Sequence, residues 1–347
     1  MDLIVKRTGR TGHITLNRPQ ALNALTWEMC LEIEKTLDLW ASYDAVTNVI
    51  FDAAGDKAFC AGGDIVEMYE TGLRKDYAYG RRFWRDEYRL NAKIFEYPKP
   101  VISFLQGFTM GGGVGIGCHG THRIVGETSQ IAMPEVSIGL IPDVGGSLML
   151  ALAPGRLGEY LGTTAHRMSG PDAIYAGFAD HFMPEAEWDD VKTALNDGTD
   201  PDELFGPYAP PNTPSDLEAM QADIDRHFGG ETLSDILRSL NAEPSDFTQE
   251  AIKRLSRNAP LSMACAVELI HRLRPPKSIR QALELEYRFT HRAMEDGDFL
   301  EGIRAAVIDK DRAPKWKHSM EAVPFPAVSK MLQPLGAEAL LFEEAPS

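Results

Sequence analysis

Two glycine-rich stretches and three carboxylates are the residues of this chain whose types and spacing could do chemistry. The stretches are KAFCAGGD at Lys57 to Asp64 and GFTMGGGVGIG at Gly107 to Gly117. Small residues let two peptide N–H groups point into one cavity without Cβ obstruction, which is how a protein builds an oxyanion hole for acyl chemistry. Ala61 and Gly112 are the candidate donors, although each stretch alone also reads as a tight turn. Glu87 shares a helix with Phe83, Leu90 and Ile94, all within about 60° of it at the helical period, which places it on the buried face. It could act as an acid or pair with Arg81, Arg85 or Arg89. Glu135 follows Pro134, which blocks a strand ladder and frees the next side chain to enter a cavity. Asp143 follows Pro142 eight residues later, in another glycine-containing turn, where an aspartate also serves as a turn or cap residue.

Other motifs point elsewhere and carry less. Gly115, Gly117 and Gly120 spell G-x-G-x-x-G, but three further glycines directly upstream make such a match a chance one. Cys118, His119 and His122 have metal-ligand chemistry without a fourth ligand or a knuckle spacing, so no metal is expected. No G-x-S-x-G elbow and no phosphate loop occurs, so a hydrolase would need another nucleophile or a water.

The elements that must position these residues follow an α/β rhythm. Strands are expected at Gly12 to Leu16, Asn48 to Asp52 and Val101 to Leu105, with helices from about Thr26 to Tyr43 and from about Tyr77 to Phe95. A strand-like IVGETSQIAMPE and the turn-rich IGLIPDVGGS follow. Residues 188–215 are rich in Asp, Pro, Asn and Gly and read as a linker. Beyond them the pattern is helical, at Leu217 to Phe228, Thr248 to Ser256, Ser262 to Leu273 and Ile279 to Glu295, with a tail after about Pro324 that is either packed or mobile. Two regions are expected, residues 1–190 carrying the chemistry and 191–347 mainly helical.

The 347 residues, 44% of them hydrophobic, supply ample core. Lys+Arg 35 against Asp+Glu 51 leaves a net charge of −16, a field that repels nucleic acid and anionic membrane surfaces, so neither is expected as a partner. No apolar run is long enough for a membrane span. Cys30, Cys60, Cys118 and Cys265 are too sparse for a disulfide scaffold, and the opening MDLIVKRTGRTGHITLNRP lacks a targeting pattern. A cytoplasmic location is the expectation.

Together, ITLNRPQALNAL, KAFCAGGDI, RDEYRLN, GFTMGGGVGIGCHG, AMPEVSIGLIPDVGG and FLEGIRAAVIDKDRAPKWKH resemble the crotonase (enoyl-CoA hydratase/isomerase) superfamily, and within it the 3-hydroxyisobutyryl-CoA hydrolases. The resemblance spans Ile14 to about His318. It implies an α/β fold, a spiral of ββα units followed by a C-terminal helical region that completes an acyl-CoA site. It implies that the N–H groups of Ala61 and Gly112 hold the thioester oxygen, and that Ala21, Leu22, Ala61, Gly62, Gly63, Asp64 and Ile65 line the CoA. Glu87, Gly112, Glu135 and Asp143 would contact the substrate, with Glu135 and Asp143 catalytic. The implied reaction is thioester hydrolysis of 3-hydroxyisobutyryl-CoA or a close short 3-hydroxyacyl-CoA, as in valine degradation, with no cofactor beyond the CoA of the substrate. Hydratases of the superfamily use two glutamates, and the position of the first is Gly115 here. The alternative is a hydratase or isomerase acting with the single glutamate Glu135. Assembly into a homo-oligomer stays open.

Overall fold

The computed structural model describes residues 1–206, 213–275 and 277–342. The chain forms two compact units, one from Met1–Asp64, Leu90–Ala132 and Arg167–Ala219, the other from Ile65–Arg89, Met133–His166 and the segment beginning at Met220. The compact units interleave along the chain, and a helix, Trp188–Asn196, runs through residue 190.

The first unit holds the strands. β1 (Leu3–Thr8) and β2 (Thr11–Leu16) pair antiparallel across a two-residue turn at Gly9 and Arg10. β3 (Asn48–Ala53), β4 (Ala58–Cys60), β5 (Val101–Phe104), β6 (Phe108–Met110), β7 (His122–Val125), β8 (Gln130–Ala132), β9 (Met168–Ser169) and β10 (His181–Phe182) follow. A six-stranded sheet runs β1-β2-β3-β5-β7-β10 and a four-stranded sheet β4-β6-β8-β9. Each pair β3/β4, β5/β6 and β7/β8 sends its first strand to the large sheet and its second to the small one. The helices Val66–Leu73 and Ala78–Phe95 come between the first two pairs, and Gly112–Gly117 between the next two. That is the spiral of ββα units the sequence implies. β1 escapes a hydropathy reading because it is an edge strand, where Lys6 and Arg7 are tolerated.

β3 and β5 are apolar runs because parallel strands are covered on both faces. Ile50, Ile102, Phe104 and Ile124 form a core with Met183, Trp188, Val191, Leu195 and Phe205. The last four overturn the linker at 188–215: residues Trp188–Asn196 and Pro201–Phe205 are helices, and the Trp188 ring lies 5.3 Å from that of Phe104. Asp200 accepts the N–H of Asp202 as a cap, with Pro201 opening the second helix, so the breaker residues mark helix ends. Residues 207–212 of that stretch lie outside the described residues.

The second unit is helical. The helix Pro260–Leu273 packs on Gly146–Leu152 and Leu157–Thr164. Capping boxes at Thr232, Ser245 and Ser278 start the helices Leu233–Ala242, Asp246–Leu255 and Ile279–Ala293. Buried Glu159 accepts from Arg274, Arg156 and His271; against the opposing effect of burial, His271 and Arg274 hold its carboxyl down at about 2. The tail is packed: Met331 and Leu332 of the helix Phe325–Leu332 are buried, and Arg292 donates to the carbonyls of Met331 and Gln333 at 3.2 and 2.9 Å. No described helix is long and apolar enough to cross a membrane.

Candidate active site

Neighbouring parallel strands deliver the two glycine-rich turns side by side in the first unit. β4 pairs with β6, so their carboxyl ends lead into Ala61–Asp64 and Gly111–Gly113. The approach is close enough to exclude a side chain: a Cβ on Gly113 would lie 2.3 Å from the carbonyl oxygen of Cys60. Gly62 turns the chain at φ +113, a value open to glycine. Gly112 opens the helix Gly112–Gly117, so its N–H has no intrahelical acceptor and is available.

Ala61 is not the second donor. Its N–H is bonded to the carbonyl of Leu22 at 3.0 Å. Leu25 bridges the next turn, its N–H meeting Gly62 and its carbonyl taking the N–H of Asp64, which leaves the N–H of Gly63 between them. Among the described residues the Gly63 N–H has no acceptor. The expectation that Ala61 offers its N–H is therefore corrected: which amides a loop consumes depends on the segment it pairs with, and the Ala61 N–H is taken by Leu22.

Leu22 and Asn23 both adopt left-handed backbone, at φ 50 and 56, after the short turn Pro19–Ala21. They line a cavity of about 220 Å³ with Pro19, Ala54, Gly55 and Lys57. Asn23 fixes that wall by donating to the carbonyls of Ala54 and Ala58 at 3.0 and 2.9 Å. Asp64 is tied to Arg18 at 3.0 Å. Ile65 precedes the helix Val66–Leu73 and falls in the second unit.

All three predicted acids lie buried in the second unit, and a fourth joins them. Glu87 does not enter the arginine pairing left open by its sequence: Arg81 pairs with Glu295, Arg89 with Asp86, and Arg85 lies over the Tyr287 ring. Glu135 opens a single turn, Glu135–Ile138, whose Val136 carbonyl accepts the N–H of Ala259 at 2.8 Å. Its Oε2 is buried without a hydrogen-bond partner among the described residues. Asp143 accepts the hydroxyl of Tyr88 at 2.7 Å on Oδ2, and Thr290 Oγ1 stands 3.4 Å from the same hydroxyl. Glu286, fully buried on the helix Ile279–Ala293, accepts the N–H groups of Gly145 and Ser147 at 2.9 and 3.1 Å and the Ser147 hydroxyl.

Four carboxyls packed out of water cannot all carry charge at ordinary cost. Burial, then the charge of Asp143, pushes Glu87 well above the carboxylate range. Glu135 is raised by burial and by the charges of Asp143, Glu286 and Glu87. Burial lifts Asp143 to about 7 against the opposing Tyr88 hydrogen bond, and Glu286 to about 8 against its donors. Acids brought near neutrality in this way suit proton transfer at physiological pH.

Tyr88 and Glu286 are the site residues that sequence reading missed. Glu286 had a signal: Ile279, Ala282, Leu283 and Thr290 lie three, four or seven residues away on one buried face. Tyr88 had none beyond its place next to Glu87. The remaining candidates are absorbed by packing. Gly115 and Gly117 sit inside a helix, not on a strand-to-helix turn. Burial pushes the Cys118 thiol up to about 12, His119 meets Phe95 edge-on at 5.9 Å, and His122 contacts Asp202 at 3.1 Å while stacking on His181.

A spiral of ββα units followed by a helical region defines a crotonase-type fold. The chain belongs to the enoyl-CoA hydratase/isomerase family, whose profile matches residues 11–332. It is 36% identical over 328 residues to 3-hydroxyisobutyryl-CoA hydrolase, mitochondrial, of Danio rerio, covering 92% of this chain and 85% of that one. The human protein of the same name is 36% identical over 335 residues, covering 91% and 84%. Among solved structures, one titled an enoyl-CoA hydratase from Rhodobacter sphaeroides superposes with a TM-score of 0.93 at 52% identity, covering 99% of this chain and 100% of that one. Another, titled a carnitinyl-CoA dehydratase from Mycobacterium thermoresistibile, also gives 0.93, at 38% identity and 99% coverage of both. The curated relatives are named as mitochondrial, which overturns the cytoplasmic expectation.

Proposed function

We propose that this chain hydrolyses the thioester of 3-hydroxyisobutyryl-CoA, or of a closely related short 3-hydroxyacyl-CoA, to the free 3-hydroxy acid and CoA, a reaction of the kind used in valine degradation. The observation that carries the reading is the buried, unpartnered Oε2 of Glu135, in the same unit as an Asp143 whose Oδ2 already accepts a hydroxyl. The similarity to curated hydrolases over most of the chain supports it.

In this reading the N–H groups of Gly63 and Gly112 stabilise the carbonyl oxygen as it becomes negative, each by roughly 3 to 4 kcal/mol. Glu135 works by one of two routes. Its carboxylate attacks the carbonyl carbon, the C–S bond breaks, the CoA thiolate leaves and is protonated, and water cleaves the acyl anhydride. Alternatively it takes a proton from water as the water oxygen attacks the same carbon, after which the C–S bond breaks and the thiolate leaves with that proton. Asp143 and Glu87 receive the substrate hydroxyl, and an analogue without it leaves buried acids unpaired. The CoA runs along Ala21, Leu22 and Gly62–Ile65, beside the cavity that Leu22 and Lys57 line.

The solved structure titled an enoyl-CoA hydratase, at 52% identity, favours a second reading: hydration or isomerisation with Glu135 as the single glutamate. Gly115 argues against it, since the first glutamate of the hydratase pair is replaced there by a buried glycine. Free-thiol release from 3-hydroxyisobutyryl-CoA and isobutyryl-CoA, by the wild type and Asp143→Asn, tests the proposal. The expected result is rapid release from the hydroxylated thioester and weaker discrimination in the variant. Equal rates on both thioesters in the wild type would refute the role of the hydroxyl.

A further inference from the structure

Glu286 is a fully buried acid, 141 residues beyond Gly145, and among the described residues no cation pairs with it. Among the described residues, every hydrogen bond its carboxylate accepts comes from one turn: Gly145 N–H, Ser147 N–H and Ser147 O–H. That turn carries Asp143. Pro142 fixes the entry, the N–H of Gly146 closes on the Asp143 carbonyl at 2.7 Å, and Val144 is held at φ +52. A β-branched residue in the left-handed region is strained and stays there only when its surroundings over-determine it. A buried unpaired acid is costly, and an apolar side chain would fill the space at less expense. The feature of the turn that calls for a carboxylate is its set of convergent donors.

We infer that Glu286 is a positioning residue of the acid site, which, through Gly145 and Ser147, holds the strained 143–147 turn so that Asp143 faces the substrate hydroxyl. The inference rests on the reading above that Asp143 recognises that hydroxyl. Tyr88 anchors Asp143 through Oδ2, and Glu286 fixes the backbone from which the same side chain projects. Two helices thus determine one carboxylate from both ends, and small displacements in such a constellation are expensive.

The test measures kcat/KM of the full chain on 3-hydroxyisobutyryl-CoA and isobutyryl-CoA for the wild type, Asp143→Asn, Glu286→Gln and Ser147→Ala, with thermal unfolding of each. The ratio of the two rates is independent of how much enzyme is folded. Glu286→Gln should lose on the order of 100-fold on the hydroxylated thioester. Its ratio should fall about tenfold or more, toward that of Asp143→Asn. Ser147→Ala, which removes one donor, should lower the ratio about three- to tenfold. If Glu286 only caps a helix, both rates fall together and the ratio stays at the wild-type value, which overturns the inference. Should Glu286→Gln fail to fold, Ser147→Ala decides by the same criterion. An Asp143→Asn variant that keeps the wild-type ratio would instead overturn hydroxyl recognition by Asp143, and the inference with it.

Discussion

Replacing Tyr88 by phenylalanine removes one hydroxyl and keeps a ring that meets Tyr287 edge-on at 6.2 Å. The hydroxyl donates at 2.7 Å to Asp143 Oδ2 inside the buried site. A hydrogen bond to a charged acceptor contributes about 1.5–3 kcal/mol. Since about 1.4 kcal/mol corresponds to one pH unit, Asp143, already lifted by burial to about 7, should titrate about one to two pH units higher in Tyr88→Phe. The sign follows from the donor favouring the ionised form. The assay is the pH profile of kcat/KM on 3-hydroxyisobutyryl-CoA, whose acid limb should move upward while the rate recovers at higher pH. An acid limb that stays in place while the whole profile drops would refute the argument and make Tyr88 a packing residue.

The same electrostatics governs stability. Asp143 and Glu286 titrate above their unfolded values, so their contribution is fully present below the ordinary carboxylate range and is lost as pH rises through about 7 and 8. Thermal midpoints of the wild type should therefore fall between pH 5 and 8, and Asp143→Asn should flatten that fall; parallel curves would contradict it. Glu159 has the opposite sign: held down at about 2, it stabilises above the ordinary range and loses this as pH falls toward about 2. Glu159→Gln should cost about 3 kcal/mol in denaturant unfolding, the lower end for a buried pair because Arg274 is partly exposed, with activity per folded molecule unchanged. Gly113→Ala drives a Cβ into the Cys60 carbonyl, and kcat should fall on the order of 100-fold with a lowered thermal midpoint; near-normal turnover would show that the two turns need not touch.

Much of this site was legible because helical and strand periods report burial directly. Phe83, Leu90 and Ile94 place Glu87 inward, and it is buried. The helix expected from Tyr77 to Phe95 is Ala78–Phe95, and that from Thr26 to Tyr43 is Trp27–Ala41 with Thr26 as its cap. What composition obscured were the ends of things: Asp, Pro and Gly in 188–206 cap two helices whose Trp188, Leu195 and Phe205 complete a core. Hydrogen-bond allocation was not legible. Whether Ala61 or Gly63 keeps a free N–H depends on Leu22 and Leu25, nearly 40 residues upstream. The bond between Tyr88 and Asp143 and the reach of Glu286 to Gly145 are likewise long-range facts, set by packing that no local pattern encodes.

The most direct test of the central claim is to follow both products of one enzyme preparation: free CoA thiol from 3-hydroxyisobutyryl-CoA, and the enoyl absorbance of crotonyl-CoA, with wild type and Glu135→Gln. Hydrolysis through Glu135 predicts thiol release from the hydroxylated thioester that is largely lost in Glu135→Gln, with CoA binding kept and crotonyl absorbance unchanged. Loss of crotonyl absorbance without thiol release from either thioester would contradict the account and establish a hydratase or isomerase.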